Sequence, residues 1–225
     1  ASACPRSSAP IPGYAPMVSI MVITLDVLVI WAVSLYNRLV TLRNRTVISP
    51  MCQYSSKAGF ANDWHLVHLG SRAVGGAGLI ICEATSVSPE GRISPGDLGI
   101  WQDEHIPMLK RITEFILSQG AVPGIQLAHA GRKASHHVPW NGGKALTTNE
   151  GAWQTVAPSP IAFNDEDNLP LELSLSGIQK VINDFKAAAK RSLDAGFKII
   201  EIHAAHGYLI HEFYSPYSNK RTDDY

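Results

Sequence analysis

The segment HAAHGY, His203 to Tyr208, gathers three hydrogen-bonding side chains within six residues. It follows the apolar run FKIIEIHA, so His203 and His206 leave a strand end together. Two neighbouring imidazoles can donate paired hydrogen bonds to one oxygen, or can hold a metal ion. Tyr208 adds a hydroxyl donor whose ordinary pKa is about 10. The plainer alternative is that histidines at a strand end hydrogen-bond their surroundings and brace the fold. Gln126, inside IQLAHAGRK, is an uncharged amide on a buried strand. Such an amide must find partners, either backbone groups or the polar edge of a planar ligand. His129 and Arg132 follow it and can cap the sheet end. Cys52 stands just after Ser49, Pro50 and Met51, where a thiol either fills space or walls a site. Cys82, within LIICEA, reads as core. His65 and His68 in WHLVH occupy positions i and i+3 of a helix. No third ligand lies near them in sequence, so packing and hydrogen bonding are the better reading than zinc.

These groups need elements to hold them. TVISPM (46–51) predicts a short strand stopped by Pro50. Residues 62–74 have helical spacing, with Trp64, Leu66, Val67, Leu69 and Val74 as the apolar set and Gly75 and Gly76 as the stop. GLIICEATSV (78–87) is a continuous apolar run, as in a strand buried on both faces. Residues 104–119 place Ile106, Leu109, Ile112, Phe115 and Ile116 on one helical face, ended by Gly120. AVPGIQLA (121–128) is the next strand. Ser176 is the expected cap of a helix running to Asp194, whose apolar face includes Ile178, Val181, Ile182, Phe185 and Ala189, with Gly196 closing it. FKIIEIHA (197–204) is a fourth strand.

Apolar strands alternating with amphipathic helices predict βαβ units and a parallel sheet. An open doubly wound sheet and a closed barrel both satisfy that order. The first strand is not followed by a Gly-rich phosphate fingerprint. Instead Cys52, Tyr54, Glu83, Gln126, His129, His203 and His206 stand at C-terminal strand ends, where barrel sites are built. The expected fold class is therefore α/β, a TIM (β/α)8-type barrel of which this chain holds the first four β/α units. Residues 136–174 show little regular pattern and read as a lid or binding loop.

The chain has 225 residues with 19 basic and 19 acidic side chains, so its formal net charge is zero. With no Lys/Arg block either, nucleic acid is not the expected partner. A hydrophobic content of 45% excludes a disordered chain. Its 18 glycines and 14 prolines follow no three-residue period, which excludes collagen-like classes. Cys4, Cys52 and Cys82 are too few for a disulfide framework, and no CxxC pair is present. Residues 1–41 read as a separate stretch: a Pro-rich lead-in, then an apolar segment at 17–36 that carries one charge, Asp26. That segment has the length of a membrane span. Arg38, Arg43 and Arg45 follow it while Arg6 alone precedes it, which would leave the C-terminal part in the cytoplasm. A pair of buried β-branched strands is the other reading. Residues 42–225 form the expected barrel part.

Four motifs together resemble the old yellow enzyme family of FMN-dependent ene-reductases, also called NADH:flavin oxidoreductases. They are LRNRTVISPMCQYS, NDWHLVHLGSRAVGGAGLIICEATSVSPEGRIS, IQLAHAGRK and EIHAAHGYLIHEFYSPYSNKRTDDY, spread from Leu42 to Tyr225. Cys52 after Ser-Pro-Met, and His rather than Asn at 206, are similar to the cysteine-containing bacterial-type class. The resemblance implies a β/α barrel with FMN at its C-terminal mouth and NAD(P)H as reductant. It implies that Ser49, Pro50, Met51 and Cys52 line the flavin and that Ala84 abuts the ring. It further implies that Gln126 bonds the pyrimidine edge and that Cys52 tunes the flavin's redox behaviour. His203 and His206 are implied to hold a substrate carbonyl oxygen, Tyr208 to donate a proton, and Tyr54 to contact the substrate, an α,β-unsaturated carbonyl compound or similar small molecule.

Further expectations follow from the same resemblance. The family's N-terminal hairpin is replaced by residues 17–36, and the sequence stops at Tyr225, short of strands five to eight and their phosphate-binding loops. Weak FMN binding and little activity are expected of this chain by itself. The competing readings are a non-catalytic fragment and a metal-dependent barrel hydrolase using His129, His203 and His206. A cytoplasmic protein is expected, or one anchored through residues 17–36, and homo-oligomers are expected of full-length members.

Overall fold

The computed structural model describes residues 40–225. The apolar segment 17–36, with its membrane-span and strand-pair readings, lies outside them. Among the described residues no helix is long and apolar enough to cross a membrane. A compact unit runs from Leu42 to Arg221. Its elements in chain order are β1 (Val47–Ile48), α1 (Asp63–Val74), β2 (Leu79–Ser86), α2 (Ile106–Ser118) and β3 (Val122–Ala128), then β4 (Val156–Ala157), β5 (Leu171–Glu172), α3 (Leu175–Asp194), β6 (Ile199–Ile202) and α4 (Leu209–Tyr214).

The main sheet has the order β1-β2-β3-β6, and every neighbouring pair is parallel. Each new strand is laid beside the previous one, always stepping the same way. Right-handed crossovers that never reverse direction put α1, α2 and α3 on a single face of the sheet. A doubly wound sheet would reverse once and carry helices on both faces. The winding is that of a barrel wall, made of the first four β/α units.

The core lies between that sheet and those helices. Ile80 and Cys82 of β2 and Ile125 and Leu127 of β3 are at most 1% exposed. They cluster with Leu69 and Ala73 of α1, Leu109, Ile112 and Ile116 of α2, and Ala188 of α3. The close of α3 is fixed by a tight approach. Gly196 has φ +91°, and a Cβ there would come within 2.8 Å of the Thr113 Oγ1. The Thr113 hydroxyl donates to the Ala195 carbonyl at 2.5 Å, tying α2 to the end of α3.

Two local expectations are corrected. In α1 the large apolar residues Trp64, Val67 and Val74 are exposed, while His65, Leu69, Gly70 and Ala73 are buried. The α1–α2 contact depends on small size: a Cβ at position 70 would stand 2.8 Å from the Phe115 ring. His65 turns inward because its ring completes a capping box with Asn62 and meets Glu83. The cap of α3 is Ser174, not Ser176. Ser174 Oγ accepts from the Gly177 N–H at 3.1 Å, whereas Ser176 Oγ is hydrogen-bonded to Ser174 Oγ at 2.9 Å.

The excursion between β3 and α3 is built from short pieces. Single 3₁₀ turns occupy Gly131–Lys133, Pro139–Asn141 and Thr148–Glu150, and β4 pairs in parallel with β5. Its own Leu146, Ala157 and Leu173 are buried. Arg221 donates to the carbonyls of Pro158, at 3.0 Å, and Leu173, at 2.5 Å, holding both strands of the small ladder. Arg92 lies between two indoles, 4.7 Å from the Trp153 ring and 5.5 Å from the Trp101 ring. Trp153 also donates Nε1–H to the Glu90 carbonyl at 2.9 Å.

Candidate active site

The site is assembled at the C-terminal ends of β1, β2, β3 and β6. The register of β2 against β3 shifts between Cys82 and Ala84, which leaves Glu83 as an extra residue. Its carboxylate accepts the Gln53 backbone N–H at 2.6 Å through one oxygen, and the other oxygen is 3.3 Å from His65 Nε2. Both side chains of that pair are almost fully buried. The pair pins the segment after β1 onto β2.

Cys52 is thereby set against Ala84. Its sulfur is hydrogen-bonded to the Tyr54 hydroxyl and the Ala84 backbone. Burial, followed by the negative charges of Asp97 and Glu83, pushes the Cys52 thiol up to about 12, so it is neutral at ordinary pH. Tyr54 has φ +49° and lies edge-on to Trp140 with ring centroids 5.7 Å apart. Burial, then Cys52 and Asp97, raises its pKa as well. Asp97 sits in the loop after β2. It accepts from the backbone N–H groups of Ile93 and Ser94 and from the Ser94 hydroxyl, at 2.7 to 3.0 Å. Burial nonetheless lifts its carboxyl to about 6.

Ala84, Gln126 and Glu201 are register partners across β2, β3 and β6, so they form a row on the sheet face away from the helices. Gln126 donates its amide N–H to Glu201 Oε1 at 2.5 Å. The partner that this buried amide required is a carboxylate on the adjacent strand, 75 residues further along the chain.

At the end of β6, His203 continues the ladder by donating its backbone N–H to Leu127 at 2.9 Å. Its ring is edge-on to His206 at 5.1 Å and to Tyr208 at 4.8 Å. This convergence needs a tight turn, and both His206, at φ +59°, and Gly207, at φ +73°, adopt left-handed backbone. Burial, with the neighbouring His206, lowers the His203 pKa, so its imidazole is neutral at pH 7. Burial pushes Tyr208 up to about 12, with Cys52 and Asp97 adding to it.

A shallow, closely packed recess at this end of the sheet is lined by Ala84, Ser86, Ala128 and Ala130 with Asp97 and Tyr208. A second shallow recess is lined by Ser49 and Met51 with Gln53, His68 and Glu83. The structure thus brings Ala84, Cys52, Tyr54, His203, His206 and Tyr208 together. It places Ser49 and Met51 on the other recess, with Pro50 half-buried between. His129 is buried, accepts from the Gly131 N–H at 3.1 Å, and is pushed down to about 4 by burial. No group of three His, Cys, Asp or Glu poised to hold a metal ion occurs among the described residues, so the hydrolase alternative has no ligand set there. Sequence reasoning missed Asp97, Lys133, Trp140 and Glu201. The Ser-Pro-Gly-Asp turn signalled Asp97, since a turn aspartate bonds nearby backbone N–H groups. Nothing local signalled the other three.

Comparison with known proteins agrees with this geometry. The sequence profile of the NADH:flavin oxidoreductase / NADH oxidase family matches residues 35–225. An NADH:flavin oxidoreductase of Gibberella zeae is 53% identical over 190 residues, 83% of this chain and 46% of that protein. An NADPH dehydrogenase of Bacillus subtilis is 51% identical over 187 residues, 82% of this chain and 51% of that protein. Among solved structures, morphinone reductase matches with a TM-score of 0.70 at 30% identity, covering 82% of this chain and 50% of the other. Old Yellow Enzyme from Pichia sp. matches with a TM-score of 0.72 at 31% identity, covering 82% and 48%. The chain spans about half the length of the curated relatives it matches. A parallel sheet wound one way, a polar mouth at its strand ends and these matches have one common source: the chain belongs to the NADH:flavin oxidoreductase / NADH oxidase family, that of the old yellow enzymes.

Proposed function

We propose that residues 42–225 carry the substrate-activating part of an FMN-dependent NAD(P)H oxidoreductase that reduces the C=C bond of α,β-unsaturated carbonyl compounds. The observation that carries this reading is the cluster of His203, His206 and Tyr208 at the end of β6. The relatives' names, NADPH dehydrogenase and NADH:flavin oxidoreductase, support the cofactor and the reductant.

The residues present fit FMN. Ala84, Ser86, Ala128 and Ala130 at these strand ends carry side chains no bigger than alanine or serine, on which a planar ring can lie. Gln126 shares the row of Ala84 and offers donor and acceptor together, which suits the alternating polar edge of a flavin pyrimidine. In this reading the segment Ser49, Pro50, Met51 and Cys52 lines the ring, with Ser49 and Met51 on the recess beside Glu83 and Cys52 against Ala84. Cys52, as a neutral thiol, tunes the ring by contact rather than by charge. FMN supplies hydride transfer, with NAD(P)H as the reductant.

The chain's own residues act on the substrate. His203 and His206 donate to its carbonyl oxygen, where negative charge builds as the alkene is reduced, so they favour the transition state over the ground state. Tyr54 contacts the substrate from the side of Cys52. Tyr208 is protonated throughout the ordinary pH range, and its hydroxyl delivers a proton to the α-carbon as general acid. A weak acid suffices there because the carbon it protonates is strongly basic.

Tyr208→Phe tests the assignment. In the flavin-loaded protein it is expected to slow alkene reduction about 100-fold or more while flavin reduction by NAD(P)H proceeds at nearly the original rate. Rapid-mixing measurement of the two half-reactions decides it, and equal losses in both would remove Tyr208 from the proton-donor role.

A further inference from the structure

We infer that Lys133 is a positioning residue for the Tyr208 hydroxyl: its ammonium pins the turn that aims Tyr208 and lays positive charge on the face of the Tyr208 ring. The inference rests on the reading of Tyr208 as proton donor.

The geometry is a closed circuit. Lys133 Nζ donates to the His206 carbonyl oxygen at 3.0 Å, across 73 residues of sequence. It stands 5.3 Å from the Tyr208 ring centroid and 4.4 Å from that of Phe163, both within cation–π range. The carbonyl it holds belongs to a residue in left-handed backbone, followed by a left-handed glycine. A non-glycine residue pays for that conformation, so the turn persists only where its surroundings hold it. Lys133 is itself held. Its backbone N–H bonds the Ala130 carbonyl at 3.1 Å, and the preceding Arg132 N–H donates to Glu212 Oε1 at 3.0 Å. Glu212 is fully buried, and its own backbone N–H returns to the Tyr208 carbonyl at 2.8 Å. Gly131 is at φ +61°, and a Cβ there would meet the Glu212 carboxyl, so this turn favours glycine.

The electrostatic consequence concerns the proton. When Tyr208 acts, its O–H bond breaks and a C–H bond forms at the α-carbon. The electron pair of the O–H bond remains as a phenolate, which regains a proton from water. The groups facing Tyr208 are Cys52 and Tyr54 from the segment after β1, Asp97 from the loop after β2, Lys133 from the turn after β3, and His203 and His206 from the end of β6. Cys52 and Asp97 disfavour the phenolate. Lys133 is the ammonium among these groups and favours it.

The experiment reads ionisation directly and needs neither flavin nor substrate. The 225-residue chain is prepared with 3,5-difluorotyrosine, whose much lower intrinsic pKa brings the Tyr208 titration below the range in which Lys133, its pKa lowered by burial and by Arg132, gives up its charge. The fluorine resonance of Tyr208 is assigned by its loss in Tyr208→Phe. Lys133→Met is expected to raise the titration midpoint of Tyr208 by about half a unit or more. Lys133→Gln is expected to raise it similarly, since it keeps a donor for the His206 carbonyl but removes the charge. Lys133→Arg is expected to leave the midpoint near the original. An unchanged midpoint in Lys133→Gln, with the amide spectrum intact, overturns the inference, and so does a rise in Lys133→Arg equal to that in Lys133→Met. Failure of the proton-donor reading shows elsewhere, as equal losses in the two half-reactions of Tyr208→Phe.

Discussion

The two faces of the main sheet are stabilised by different physics. Towards the helices stand Ile80, Cys82, Ile125 and Leu127, packed among aliphatic side chains with almost no exposure. On the other face and at the strand ends stand Glu83, Gln126 and Glu201, held by contacts of 2.5 to 3.3 Å to named partners. The first face is non-directional, so volume and apolarity suffice. The second is directional, and each atom counts because a buried polar group without its partner costs its full desolvation. Cys82 and Glu83 are neighbours in sequence on opposite sides of this division, which makes the contrast testable.

The largest effect is expected at Glu83. Removing its carboxylate in Glu83→Ala leaves the Gln53 N–H without its acceptor and breaks the buried contact with His65. Two hydrogen bonds to a buried carboxylate are lost, so a loss of about 3–5 kcal/mol is expected in urea unfolding. A loss below about 1 kcal/mol would erase the distinction between the faces.

Asp97 gives the next effect, and its sign is fixed by pH. Its carboxyl is lifted from 3.8 to about 6 by burial. A carboxyl raised on folding contributes its full stability below pH about 4, where both states are protonated, and that stability is lost as pH rises through 6. The shift corresponds to about 3 kcal/mol. Urea midpoints at pH 4 and pH 7 should therefore fall more steeply in the original protein than in Asp97→Asn, and parallel slopes would show that Asp97 does not carry the dependence.

The smallest effect is expected across the strand from Glu83. Cys82→Ala removes one sulfur from the apolar side and should cost about 1 kcal/mol by the same measurement. A cost rivalling that of Glu83→Ala would mean that the helix-facing side is as exacting as the polar one.

The same division explains what could be read from sequence. The helix-facing side announces itself by period: LIICEATS and VPGIQLA are apolar runs, and α2 shows its stripe at Leu109, Ile112 and Ile116. His203, His206 and Tyr208 were legible because the turn that unites them is local. Lys133 and Glu201 were not, since their partners lie 73 and 75 residues away and no spacing rule reaches that far. The buried face of α1 was misread because its contact with α2 depends on Gly70, and a pattern read by large apolar residues pointed to Trp64 and Val67 instead. The excursion after β3 lacked a period because carbonyls gripped by Arg221 and single turns define it.

The stacking of Arg92 has an optical consequence. Trp101 follows β2 in the loop before α2, whereas Trp153 belongs to the excursion, and one guanidinium spans them. Indole emission responds to an adjacent cation and to water. If the excursion lifts while the sheet stays folded, Trp153 loses both Arg92 and its bond to the Glu90 carbonyl, while Trp101 keeps Arg92, whose other face opens to water. The protein therefore carries a built-in fluorescent gauge of that motion, with no dye attached.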